Sequence, residues 1–330
     1  MAKKKYSEKE LKEVLAYDEK ENFLLMPNEA IKMIAKADEL KVGDSSEHIA
    51  VAYSYLYLNT WMYRYAKYGQ VDLDMTTVKG MKSVIGVSPT GVSFDYIFKK
   101  NGVLDELGLT ETKPFNQAPM QWGMDETDKE MIDFMLFEDM SKDMREIFTN
   151  GKSMKRRQIK YPVMALEKRT PLHDFECNGT FYGGGKDYTH QVSFNAFIKC
   201  MATKELGTIG FYLYSFIRSR YGSNKSVQIS LETIARDSGI KTTTVNKYMM
   251  ALREYGLVGC KVEDYVVGRD MYANNVETEA NTYWVYEHGF NGMKEEVYTR
   301  NVVSVFNVKD ITFSAEAIVE RDKIWEKKQS

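Results

Sequence analysis

SVQISLETIARDSGIKTTTVNKYMMALREYGLVGC, residues 226–260, is the stretch whose reading decides the fold. A short strand opens it. Leu231 and Ile234, three apart, then mark a small helix that stops at Gly239. Over residues 242–255, Val245, Met249 and Leu252 follow the i, i+4, i+7 spacing of a helix with one packed side, and Gly256 ends it before the apolar "LV" of a second strand. Lys241, Thr242, Thr243, Thr244, Asn246 and Lys247 crowd the first turns of that longer helix. A helix that enters the major groove of DNA needs such short polar or basic groups near its N-terminus, where they reach base edges. Hydroxyls and N-terminal amides also hold phosphate oxygens.

An earlier stretch repeats the layout. In "YSYLYLNTWMYRYAKYGQVDLDM" a Tyr-rich helix ends at Tyr68-Gly69 and a strand follows, as in "YLYSFIRSRYGSNKSVQISL" around Tyr221-Gly222. Met75 and Val78 then answer Leu231 and Ile234, and Gly86-Val87 answers Gly239-Ile240. A longer helix to Gly102 and a "VL" strand are expected to close the first copy. The entries echo as well, "NEAIKMI" against "NAFIKCM". The fold class expected is mixed α/β, predominantly helical, with two tandem winged-helix (helix-turn-helix) domains and a helical or irregular connector. The divisions are a charged N-terminal helix or tail over 1–22, a first winged helix over 23–111, a connector over 112–192, a second winged helix over 193–290, and a C-terminal strand and helix over 291–330. In the first copy Ser88, Thr90 and Ser93 are the candidate DNA contacts, although Gly91 and Asp95 work against groove insertion; dimerisation is the other use for that unit.

The connector carries "DETDKEMIDFMLFEDMSKDMREIF", read as one acidic amphipathic helix with Met131, Phe134, Met135, Phe137, Met140 and Met144 along one face. "GKSMKRRQIK" follows without an acid; its Lys152, Lys155, Arg156, Arg157 and Lys160 form either a phosphate clamp between the domains or a solvated linker. After Gly256 the strands "LVGCKV" and "NTYWVY" flank a long wing in which Lys261 and Arg269 are backbone-contact candidates, diluted by Glu263, Asp264, Glu277 and Glu279. The Tyr-rich helix over 53–68 is read as core packing rather than a base-stacking platform.

Composition sets the bounds. A hydrophobic fraction of 43% and only 6 prolines fit a folded chain, and a formal charge of −2 means that any DNA binding must come from local basic faces. Three scattered cysteines, no apolar run of membrane length and no leader pattern point to a reducing cytoplasm and no membrane partner. "TFYGGGKD" has Thr180 and Asp187 where a phosphate-binding loop needs glycine and a hydroxyl. The four histidines never pair as a nickase metal site requires, and His173, Cys177, His190 and Cys200 match no zinc spacing. No enzyme activity, cofactor or metal is expected.

On "ISLETIARDSGIKTTTVNKYMMALREYGLVGC" and its echo, the chain resembles the winged-helix replication initiators of plasmids and phages and, more loosely, initiator-type helix-turn-helix proteins of Gram-positive mobile elements. The resemblance implies two related domains on repeated origin sequences, one often dimerising, and recruitment of host replication proteins. Carried over residue by residue, it implies that Lys241, Thr242, Thr243, Asn246 and Lys247 read bases and phosphates, with Ser88, Thr90 and Ser93 as counterparts. A transcriptional regulator of a mobile element shares the chemistry, and a winged-helix adaptor for proteins is the reading of another class.

Overall fold

The computed structural model describes residues 6–41, 45–123, 133–166, 189–221, 225–262, 265–267, 280–297 and 302–304. The N-terminal half contains α1 (Glu8–Val14), β1 (Phe23–Pro27), α2 (Asn28–Lys36), α3 (Ser45–Arg64), α4 (Val78–Val84), α5 (Asp95–Phe98) and α6 (Val103–Glu106). Next come β2 (Glu111–Pro114), β3 (Pro119–Gly123), β4 (Asp133–Leu136), α7 (Lys142–Thr149) and β5 (Gln158–Tyr161). The second half holds β6 (Thr189–Ser193), α8 (Phe194–Ala202), α9 (Gly207–Ser219), β7 (Val227–Gln228), α10 (Leu231–Ser238), α11 (Thr242–Glu254), β8 (Val258–Lys261), β9 (Tyr265–Val267), β10 (Thr282–Val285) and β11 (Val302–Ser304). About half of the described residues are helical and the sheets are small, so the chain is mixed α/β.

Strand flows straight into helix twice: β1 into α2, and β6 into α8. The two strands pair with each other, antiparallel, from Phe23 opposite Ser193 to Pro27 opposite Thr189. The helices that follow, α3 and α9, pack together behind them. Nearly all of α3 from Ser46 to Tyr63 is buried, as a helix apolar on every side must be. Its aromatic rings fill the core, with Trp61 stacked on Phe194 at 3.9 Å. Their polar tips are tied to neighbouring carbonyls: Tyr57 Oη donates to Val192 O (3.1 Å) and Trp61 Nε1 to Glu21 O (3.0 Å). One continuous core therefore joins residues of both expected units. The Tyr-rich helix is core, as its spacing indicates.

The first copy departs from its expected form in three places. "VDLDM" is a series of turns, residues 103–106 are helix α6 instead of a strand, and the long helix before Gly102 is only the four residues of α5. Two buried cations explain the change. Lys82, at the end of α4, pairs with Asp95 and donates to Gly91 O (2.7 Å), which holds residues 88–94 as a loop folded over α4. Lys160 donates to Asp105 Oδ2 and to Lys99 O, each at 2.8 Å, while Thr110 and Thr112 also donate to Asp105. The turn of α6 presents that carboxylate. Burial raises the Asp105 carboxyl, and the hydrogen bonds from Lys160, Thr110 and Thr112 outweigh it, leaving it below the ordinary carboxylate value.

The single acidic helix of the connector is also corrected. Residues 133–136 are β4, paired with β3, and Asp139 accepts from Leu136 N at 2.7 Å to turn the chain. A separate helix, α7, restarts at Ser141, which accepts from Met144 N (3.2 Å). Phe134, Phe137 and Met140 are buried while Met144 is 51% exposed, so no common apolar stripe exists. Met131 lies outside the described residues, as do residues 167–188 and the expected C-terminal helix. Among the described residues no helix is long and apolar enough to cross a membrane.

His190, buried in β6, bridges the halves: its Nδ1–H donates to Asn28 Oδ1 (2.7 Å) and its Nε2 accepts from the Tyr53 hydroxyl (3.1 Å). The neutral ring satisfies both contacts. Burial, then the nearby Arg218 guanidinium, pushes the imidazole down to about 3, against 6.5 for the free group. The unfolded chain takes a proton as pH falls through 6.5 and the folded one does not, so folding stability is lost on the acid side. We expect urea unfolding to show a loss approaching 1.4 kcal/mol per pH unit below about pH 6, and His190→Gln to flatten that slope while lowering stability at neutral pH. An unchanged slope in the variant would contradict a neutral, bridging His190.

Candidate nucleic-acid interface

The helix pair α10–α11 is built from local rules. Ser230 caps α10, its Oγ accepting from Thr233 N at 3.1 Å. Gly239 ends it with φ +72°, a left-handed conformation that favours glycine. Ile240 then plunges into the core, and α11 begins after Lys241. Val245, Met249 and Leu252 are buried as their spacing predicts. Opposite them, Lys241, Thr242, Thr243, Asn246 and Lys247 are exposed and Thr244 is half-buried. The first turn of α11 contains no acid; its lone carboxylate, Glu254, sits at the far end, buried and paired with Lys294 at 3.1 Å. The amide end of a helix carries partial positive charge, which adds to the two lysines.

Behind α11 a three-stranded antiparallel sheet forms in the order β7–β10–β8, with Thr282 opposite both Gln228 and Lys261. Lys261 is exposed at the end of β8; Arg269 lies outside the described residues. The C-terminal end of α11 is held by the segment after β10. Asn291 N donates to Tyr255 O (3.0 Å), and Glu295 N and Asn291 Nδ2 donate to Glu254 O (3.0 and 3.1 Å). Those carbonyls have no partner inside the helix, so the segment supplies one. The amide end is held from elsewhere: Lys241 N donates to Ser46 Oγ at 3.1 Å.

The counterparts in the first copy are placed differently. Thr90 and Ser93 are exposed and Ser88 half-buried, all on the loop over α4 and on no helix. They cannot enter a groove as a helix face. The loop reaches the start of α3 from another side, where Tyr96 is hydrogen-bonded to His48 (2.7 Å) and Phe94 packs on the same ring. In the basic run, Lys152, Lys155 and Arg156 are exposed, but Arg157 and Lys160 serve the fold. Arg157 Nη1 donates to Leu73 O (2.6 Å) and to Thr76 Oγ1 (3.4 Å), and Nη2 lies 3.7 Å from Asp74. Of the phosphate-clamp candidates, Lys152, Lys155 and Arg156 are the exposed ones. The guanidinium of Arg157 is engaged by the turns after α3 and only partly exposed.

Sequence reading missed Ser46, Asn291 and Lys294, the residues that hold α11 in place. Ser46 is 195 residues away from its partner, and no periodicity reaches that far. Among the described residues no cluster of His, Cys, Asp or Glu is arranged to hold a metal ion. Cys200 is buried, and burial pushes its thiol well above the ordinary range, so it is unreactive.

Arg157→Ala should destabilise the fold by about 1–2 kcal/mol, since it removes the charged hydrogen bonds that tie Leu73 O and Thr76 Oγ1 to β5, whereas Arg156→Ala should stay within about 0.5 kcal/mol of the parent; urea denaturation separates the two. Equal effects would show that the run is not divided as described. No family model, curated protein or solved structure matches the chain.

Proposed function

We propose that the chain binds double-stranded DNA sequence-specifically through α11, and that it acts as a replication initiator of a plasmid or phage. One observation carries the DNA reading: the exposed side of α11 presents Thr242, Thr243, Asn246 and Lys247 with no acid in its first turn, while the apolar side is buried. Asparagine gives bidentate contacts to adenine, threonine accepts or donates to any base, and the lysines serve phosphates or guanine. The order α9, β7, α10, α11, β8, β10 with its three-stranded sheet supports treating residues 193–290 as a winged helix. Residues 23–111 share only the opening strand and helices of that plan; their contact with DNA runs through the loop bearing Thr90 and Ser93, and the exposed Lys155 and Arg156 add phosphate contacts.

The initiator reading draws on the pairing of β1 with β6. Two related halves already joined within one chain suit a monomer that occupies each of several direct repeats. A transcriptional regulator would use the same surface of α11 but would sit as a dimer on an inverted repeat.

Selection of bound duplexes from a randomised pool, followed by anisotropy titration over a range of salt, tests both levels. Wild-type affinity should fall steeply with salt. Lys247→Ala should reduce the slope by about one and weaken all sequences alike, whereas Thr243→Ala and Asn246→Ala should each cost about 1–3 kcal/mol on the selected site and relax its sequence. Direct repeats bound one monomer at a time favour the initiator; a palindrome bound by a dimer favours the regulator. A chain that selects no duplex, or whose α11 variants bind as the parent does, is not a DNA reader by this surface.

A further inference from the structure

Helices α4, α7, α8 and α10 each begin at a hydroxyl residue, Thr77, Ser141, Ser193 or Ser230, whose side chain caps the first turn. Helix α11 does not: its N-cap position is Lys241, whose own side chain makes no capping hydrogen bond. The amide just ahead of the helix is taken by Ser46 Oγ instead, from the start of α3. Ser46 is only 1% exposed, so this hydroxyl is closed to water. The same corner holds the turn before α11. A side chain at Gly239 would meet Ala35 O at 3.0 Å and Ile49 Cδ1 at 2.9 Å, so backbone there rests directly on α2 and α3. Tyr212 Oη adds a hydrogen bond to Ser238 O at 2.9 Å.

We propose that Ser46 is a positioning residue for the DNA-reading helix. Delivered from the N-terminal half, its hydroxyl anchors the entry to α11 and fixes the angle at which that helix meets a duplex. A local cap would occupy an amide of the first turn. Anchoring one residue earlier leaves those amides for phosphate oxygens. The geometry makes the N-terminal half part of the reading apparatus even where it touches no base. This inference rests on the DNA reading of α11 given above.

The test uses the full chain, duplexes that the wild type selects from a randomised pool, and amide hydrogen exchange. Ser46→Ala should weaken binding to the selected duplex about tenfold, by loosening one buried hydrogen bond, while the salt slope and the binding of unselected duplex stay unchanged. Exchange should quicken at residues 241–245 and nowhere else. Ser46→Thr, which keeps an oxygen acceptor, should recover most of both. A residue that merely stabilised the fold would lower the unfolding midpoint without changing the ratio of selected to unselected binding. Affinity for the selected duplex within about twofold of wild type in Ser46→Ala overturns the proposal. If the wild type selects no duplex, the DNA reading fails by itself and exchange alone decides: quickening confined to residues 241–245 sustains the anchor, and unchanged exchange overturns it.

Discussion

Everything in this molecule is hung on the antiparallel register that sets Phe23 against Ser193 and Pro27 against Thr189. That short ladder brings together two strand–helix units far apart in sequence, and the long helices behind it, α3 and α9, bury each other's aromatic faces. His190 in the ladder is kept neutral by its burial and by the Arg218 guanidinium, with Asn28 and Tyr53 as partners for its two ring nitrogens. The seat of α11 follows from the same join. Ser46 stands at the first turn of α3, so its reach to Lys241 depends on how α3 lies against the second half.

Cations in this chain divide into those held by the fold and those turned outward. Lys67 is fully buried against Glu21 (2.6 Å), with Ala16 O and Gln70 as further acceptors. Lys82, Lys160 and Lys199 are likewise buried and paired. Removing one partner of such a pair strands the other charge, so these residues belong to stability and not to recognition. The exposed set on α11 and at Lys155–Arg156 is small, and in a chain of net charge −2 any positive potential is confined to such local faces.

How much of this was legible in the sequence depended on distance along the chain. The helices around Gly239 follow from spacing and punctuation within some twenty residues, and the exposed and buried sides of α11 fall where Val245, Met249 and Leu252 put them. The echo of "NEAIKMI" in "NAFIKCM" signalled the two related entries, though not that their preceding strands pair. The first copy misled because its pattern of glycines and apolar residues is overridden by buried charge: Lys82 needs Gly91 O and Asp95, and that need unmakes a long helix. A basic run likewise gives no sign of which members reach back to Leu73 and Asp74, as Arg157 does. The strand over 133–136 was decided by β3, a partner that no helical periodicity in the run itself reveals.

The ladder also dictates an order of events at the ribosome. Strand β1 is made early, but its mate β6 is not translated until after α7 and β5. Until then the newborn N-terminal portion carries an unzipped edge and a Tyr-rich helix whose covering, α9, does not yet exist. Closing such a wide loop is slow, and an open strand edge beside bare aromatic surface invites adhesion to other chains. Biogenesis of this protein therefore hinges on shielding residues 23–64 during elongation, and pausing of synthesis between the two halves would be the most damaging place to stall.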